Sequence, residues 1–166
     1  MIYSIENQRE IPVSISKKVL YIDDELEFIT NYNVCDGLNG KEIGYVNLKD
    51  TQNGVKVLYI RNHEQKLYKH FGQLADQIEL EHCLNRGLDT PNIQSVAARN
   101  THILHFLRGK RFINEGVNIY LDYLIKNMRK GEQILTDFFG YQKMYMPINM
   151  INEIKEKIKI NPLLKK

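Results

Sequence analysis

The first sixty residues carry apolar and polar positions in the short, β-branched runs typical of strands. Residues 11–22 (IPVSISKKVLYI) form one such run, and Pro12 puts its start at a sheet edge or a strand beginning. Residues 26–34 (LEFITNYNV) form the next, and the turn Asp36-Gly37-Leu38-Asn39-Gly40 follows it. Residues 41–48 (KEIGYVNL) resume the strand pattern, and Asn53-Gly54 is a two-residue hairpin signal. Residues 55–60 (VKVLYI) make the strongest strand. An antiparallel meander over residues 11–62 is the simplest reading.

The period then changes. Phe71, Leu74, Ala75 and Ile78 lie at i, i+3, i+4 and i+7, one face of a helix. Leu80, Leu84 and Leu88 widen that stripe, which predicts a helix over 71–86 buried on more than half its circumference. Residues 92–99 (NIQSVAAR) read as a short apolar strand, and Asn100 offers an N-cap to a helix through His105, Phe106 and Leu107. Strand, helix, strand and helix from 55 to 107 make a βαβα unit, which implies a parallel strand pair. Val117, Leu121, Leu124 and Met128 define a further amphipathic helix. Residues 141–148 (YQKMYMPI) read as a closing strand. Ile151, Ile154 and Ile158 mark a short last helix before a basic tail. The domain is expected to be single over 1–148, with 149–166 as that helix and tail.

Composition narrows the classes. The chain has 166 residues, of which 43% are hydrophobic and 26% charged, as in a globular domain. No apolar run approaches the ~20 residues of a membrane span, so a membrane partner is not expected. MIYSIENQRE has no basic n-region ahead of an apolar stretch, so no secretory leader is expected either. Two cysteines, Cys35 and Cys83, exclude a disulfide scaffold, and a cytoplasmic location fits. The net charge of +3 is compatible with an anionic ligand without requiring one. Nucleic acid is the least favoured partner, because no basic–aromatic motif of a known RNA-binding module occurs. No metal site is expected. His102 and His105 are spaced i, i+3, but no third ligand stands at a telling distance.

One turn carries the strongest chemical suggestion. Lys69-His70-Phe71-Gly72-Gln73-Leu74 leads from the strand ending at Asn62 into the helix LADQIELEHCLNRGL. A helix N-terminus presents unpaired N–H groups and a partial positive charge. A glycine there lets a phosphate approach the backbone closely. Gly72 fits that role, and Lys69 adds a cation. The alternative is that Gly72 only eases the entry into a buried helix.

From Val55 to Phe112, this order of strand, glycine turn, helix, strand and Asn-led helix resembles the GNAT superfamily of acyl-CoA-dependent N-acyltransferases. The turn pattern there is Arg/Gln-x-x-Gly-x-Gly/Ala. Here Lys69 takes the first slot and Leu74 the last, while Leu107 stands at the usual catalytic Tyr and Arg111 at the Gly of a Gly-Phe pair. The resemblance implies an α+β fold: a mixed, mostly antiparallel sheet with a central splayed parallel strand pair, flanked by helices. It implies acetyl-CoA or another acyl-CoA as co-substrate and a primary amine, small molecule or protein, as acceptor. It assigns the turn residues Lys69, Phe71, Gly72, Gln73 and Leu74 to the cofactor. The backbone of Leu58, Tyr59 and Ile60 and the side chain of Asn100 would bind the pantetheine arm, although Asn100 also serves as an N-cap.

Acyl transfer to an amine requires a base for the ammonium and benefits from an acid for the leaving thiolate. His63 and Glu64, just past the strand end, are the candidate bases. Tyr68 and Tyr141 are the candidate acids in place of Leu107. A catalytically inactive binding or regulatory module of the same fold, and a basic nucleic-acid-binding domain, are the alternative readings.

Overall fold

The computed structural model describes residues 1–22, 27–52, 54–86, 92–97, 102–129, 132 and 142–147. The last helix expected around Ile151–Ile158, the cap Asn100 and Tyr141 lie outside them, as do Asn53, Gly87 and Leu88. The fold is mixed α+β with mostly antiparallel pairing. It separates into two compact units, Met1–Pro91 and Asn92–Lys166. The strands expected to form the parallel pair fall one in each unit, and each unit is described by itself.

In the first unit the meander is β3 (Val13–Ile22), β4 (Glu27–Asp36), β5 (Glu42–Thr51) and β6 (Gly54–Asn62). Each strand pairs antiparallel with the next. Thr51 pairs with Gly54, so Gly54 is the first residue of β6 and not a loop residue, one position off the register in which Asn53-Gly54 would form the turn. A separate antiparallel sheet consists of β1 (Ile2–Ser4), β2 (Arg9–Ile11) and β7 (Tyr68–Lys69), in the order β2-β1-β7. Strands of two or three residues are too short to show a period, so no local pattern marks them.

Helix α1 (Phe71–Asn85) packs on β5 and β6. Phe71, Leu74, Ala75 and Ile78 are all buried, as their spacing predicts, together with Leu80. Leu84 departs from the expected stripe and is exposed. Val34, Ile43, Val46, Leu48 and Val55 of the strands of this unit are buried as well. Its C-terminal end is fixed by polar contacts. His82 Nδ1 lies 2.7 Å from Tyr32 Oη and its Nε2 lies 2.6 Å from Asp50 Oδ1. Arg86 donates to the carbonyls of Gly54 and Thr51 at 2.6 and 3.2 Å, which ties the helix end to the β5–β6 turn.

In the second unit β8 (Asn92–Ala97), β10 (Gln142–Pro147) and β9 (Arg111–Phe112) form antiparallel ladders, with β10 paired to both others. Pro147 ends β10, where a missing N–H does least harm. Helix α2 (His102–Leu107) is short. Helix α3 (Glu115–Asn127) is N-capped by Asn114, whose Oδ1 accepts from the Gly116 N–H at 3.0 Å. Phe106, Phe112, Leu121 and Met144 form the core here. Buried Asn118 closes the ladder end, accepting from the Phe112 N–H at 2.8 Å and donating to the Phe112 carbonyl at 2.9 Å.

Gly44 sets the spacing of the first unit. It pairs with Asn62, and a Cβ added to it would run into the carbonyl of Arg61 and reach 3.0 Å from Phe71 Cζ. The obstacle is backbone, so it cannot swing aside. Gly44→Ala should therefore cost ~1–3 kcal/mol, as overpacking of a tight interior does. Urea unfolding checks this: the midpoint should fall, and an unchanged midpoint would contradict the packing described.

Candidate functional site

Of the residues singled out from the sequence, Leu58 to Ile60, His63, Glu64, Tyr68, Lys69 and Phe71 to Leu74 run from β6 to the start of α1, within the first unit, while Asn100 and Tyr141 lie outside the described residues. Strand β6 is not regular there. Asn47 pairs with Tyr59 but Leu48 pairs with Val57, so Leu58 is an extra residue, a β-bulge. A bulge leaves its extra residue out of the ladder, bends the strand and increases its twist. Leu58 alone is left out of the pairing with β5, and Tyr59 and Ile60 beyond it pair with Asn47 and Val46.

The loop after β6 is held by one side chain. Asn62 Oδ1 accepts from the Glu64 N–H at 2.9 Å, and Asn62 Nδ2 donates to the Tyr68 carbonyl at 3.0 Å. The Leu67 and Tyr68 N–H groups both donate to the Glu64 carbonyl. Residues Ile60 through Lys66 line an open pocket of about 510 Å³.

His63 is exposed at this pocket. Its ring lies 5.5 Å from that of Tyr45, and its Nε2 lies 3.4 Å from Glu42 Oε1. Glu64 is differently placed: its carboxylate forms a 2.7 Å ion pair with Lys41. Lys41 occupies the Glu64 carboxylate, which leaves His63 the better placed of the two candidate bases.

Tyr68 does not fit the acid role assigned to it. Its hydroxyl is buried and donates to Asp36 Oδ2 at 2.7 Å. Burial, then the hydrogen bond to Asp36 and that group's charge, push the phenol up to about 12. The proton is committed to a structural contact. Asp36 lies 32 positions earlier in the chain. A long-range partner of this kind leaves no mark in local sequence pattern. Tyr141 lies outside the described residues. Leu107 is buried at the end of α2.

The turn expected to cradle a phosphate is the first turn of α1, which starts at Phe71 as its spacing predicts. The Gln73 and Leu74 N–H groups donate to the His70 carbonyl at 3.1 and 3.2 Å. That leaves Phe71 and Gly72 as the first-turn donors without an acceptor inside the helix. Leu74 and Phe71 turn their side chains into the core. Gln73 Oε1 lies 2.7 Å from His70 Nδ1. His70 caps the helix in a left-handed conformation, φ 68°, which is uncommon for a residue other than glycine, asparagine or aspartate. No acidic residue occupies the first turn, so nothing there offsets the partial positive charge of the helix end. Lys69 is exposed on β7, paired with Tyr3 of β1.

Cys83 is buried within α1, and burial followed by the nearby Glu79 charge pushes its thiol up to about 12. A buried thiol held protonated in this way is inert. Glu42, Tyr45 and Asn33, which surround His63, were not singled out from the sequence. Their alternation along strands is the ordinary pattern of a polar sheet face.

No protein-family model matches the chain, and no curated protein matches it. Among solved structures, it is similar to an acetyltransferase of GNAT family from Staphylococcus aureus Mu50, with 11% identity over 72% of this chain and 68% of that one, at a TM-score of 0.44. It is also similar to a nourseothricin acetyltransferase, with 14% identity over 82% of this chain and 88% of that one, at a TM-score of 0.44.

The Tyr68–Asp36 bond yields a pH-dependent expectation. Burial would raise the Asp36 carboxyl, but the Tyr68 hydroxyl and the Leu38 and Asn39 N–H groups outweigh it, and it sits below its ordinary 3.8. A depressed carboxyl stabilises the fold above its unfolded value and loses that contribution as pH falls through the folded value. Tyr68→Phe should thus destabilise by ~1–3 kcal/mol at neutral pH, with the deficit shrinking below about pH 4. Urea titrations of both proteins across that range check it. A deficit that grows in acid would contradict the assignment.

Proposed function

We propose that the protein is an N-acyltransferase that moves an acetyl or other acyl group from acyl-CoA to the amine of a small molecule or protein. The observation that carries this reading is the succession, within one unit, of a bulged strand end, a pocketed loop and a helix whose first turn offers unpaired N–H groups beside a glycine. Residues at this turn suit a pyrophosphate: Phe71 and Gly72 supply backbone donors, Gly72 adds no Cβ, and Lys69 adds a cation. The resemblance puts an extended amide-bearing arm against the backbone of Leu58, Tyr59 and Ile60, and the bulge frees the backbone of Leu58 from the β5 ladder.

When bound, acyl-CoA supplies an activated thioester. The protein's own contribution is mainly positional, and holding two reactants in register is worth ~7–11 kcal/mol. His63 takes the proton from the acceptor ammonium, directly or through a water, and Glu42 holds the imidazole from the far side. With Tyr68 committed to Asp36, its hydroxyl is not free to protonate the leaving sulfur. General acid help is worth ~10²–10⁴-fold, so its loss slows the reaction without abolishing it.

The same observation favours a second reading, a binding module of the same fold that does not turn over. Buried Leu107 and sequestered Tyr68 both point that way.

Calorimetric titration with CoA tests the site. The wild type should bind, and Gly72→Asp should weaken binding by about tenfold or more, since a carboxylate repels phosphate. The same carboxylate favours a helix N-terminus, so thermal stability should not fall. Equal affinity in the two proteins would remove the turn from the site. Thiol release from acetyl-CoA across a panel of amines then separates the readings: release supports the enzyme, and binding without release supports the module.

A further inference from the structure

We propose that the sheet face turned away from α1 is a binding platform for single-stranded nucleic acid. This does not rest on acyl transfer. The strand register divides the side chains of β3–β6 between two faces. Tyr32 reaches His82 of α1, so its neighbours Asn31 and Asn33 lie on the opposite face. Contacts agree with the register. Asn31 Nδ2 donates to Asn47 Oδ1 at 2.6 Å, Asn33 reaches Glu42 at 3.4 Å, and Tyr45 meets His63. Two cross-strand rows follow: Ser16, Asn33, Tyr45 and Arg61, and then Lys18, Asn31, Asn47 and Tyr59. Lys56 lies two positions along β6 from the second row once the Leu58 bulge is discounted.

This is not the composition of a simple solvated face. Tyr59 is 65% exposed near the centre of β6, with the exposed cations Lys56 and Arg61 on the same strand and exposed Lys18 at the far end of its row on β3. Among the described residues of these rows there is no acid. Glu42, at the margin, is engaged by His63 and Asn33. Tyr45 and Tyr59 stand diagonally across β5 and β6, a separation of roughly 7–8 Å. Two flat rings at that spacing suit successive unpaired bases, the cations suit the phosphates, and the row of amides can donate to and accept from base edges. A duplex keeps its base faces stacked and cannot use the tyrosines, which selects a single strand. Each residue alone is an ordinary surface side chain; register brings them together.

Fluorescence anisotropy with labelled single strands of about eight nucleotides tests the proposal, with RNA and DNA arms and a duplex arm. At about 50 mM salt the single strands should bind, and log K should fall against log salt with a slope of about −2, for three phosphate contacts. Tyr59→Ala keeps the backbone but removes the ring, and should weaken binding about tenfold with the slope unchanged. Tyr59→Phe should bind as wild type does, which shows that stacking and not folding was lost. Arg61→Ala should reduce the slope by about 0.7. No binding at low salt overturns the proposal. So does Tyr59→Ala affinity equal to wild type, or a duplex bound as well as a single strand, since either reduces the face to general attraction for polyanions.

Discussion

The arrangement of the first unit depends on how closely α1 can approach the hairpin β5–β6, and Gly44 sets that distance. A side chain at this position would strike the Arg61 carbonyl and press on Phe71, the first residue of the helix. Without one, the helix start sits against the end of β6. The loop from Asn62 to Tyr68 then needs only to span that gap, and Asn62 folds it back with two hydrogen bonds. The bulge, the pocket and the first turn of α1 are brought together by this single close approach.

The other end of α1 is fixed by different physics. Tyr32, Asp50 and Arg86 surround His82, and burial followed by the charge of Asp50 raises the Tyr32 phenol. Each ring nitrogen of His82 has a partner, which is the condition for burying an imidazole at little cost. With one end set by packing and the other by hydrogen bonds, α1 covers one face of the sheet in a fixed register. The opposite face is left to residues of another kind: amides, exposed tyrosines and cations.

Much of this was legible in the sequence where local period carries the information. The meander and the buried stripe of Phe71, Leu74, Ala75 and Ile78 follow from alternation and spacing. The same reading puts His63 just past the end of β6 and Gly72 at the start of α1, and there they lie. What was not legible depends on partners distant in the chain. Tyr68 looks like a free phenol in a loop until Asp36 is brought beneath it. The bulge at Leu58 exists only relative to β5, and a strand as short as Ile2–Ser4 has no readable period. Tyr45, Asn33 and Glu42 gather around His63 through register, which no single strand reveals. Leu84 was read as core by its spacing, yet the stripe has already turned outward there.

The central claim, that the first turn of α1 and the bulged end of β6 form one ligand site, is tested most directly by following backbone amide resonances during a CoA titration. The account predicts saturable shifts concentrated at Phe71 and Gly72 and at Leu58 through Ile60, all with one dissociation constant. Shifts that saturate elsewhere while those amides stay unmoved, or no saturable shifts at all, would contradict it.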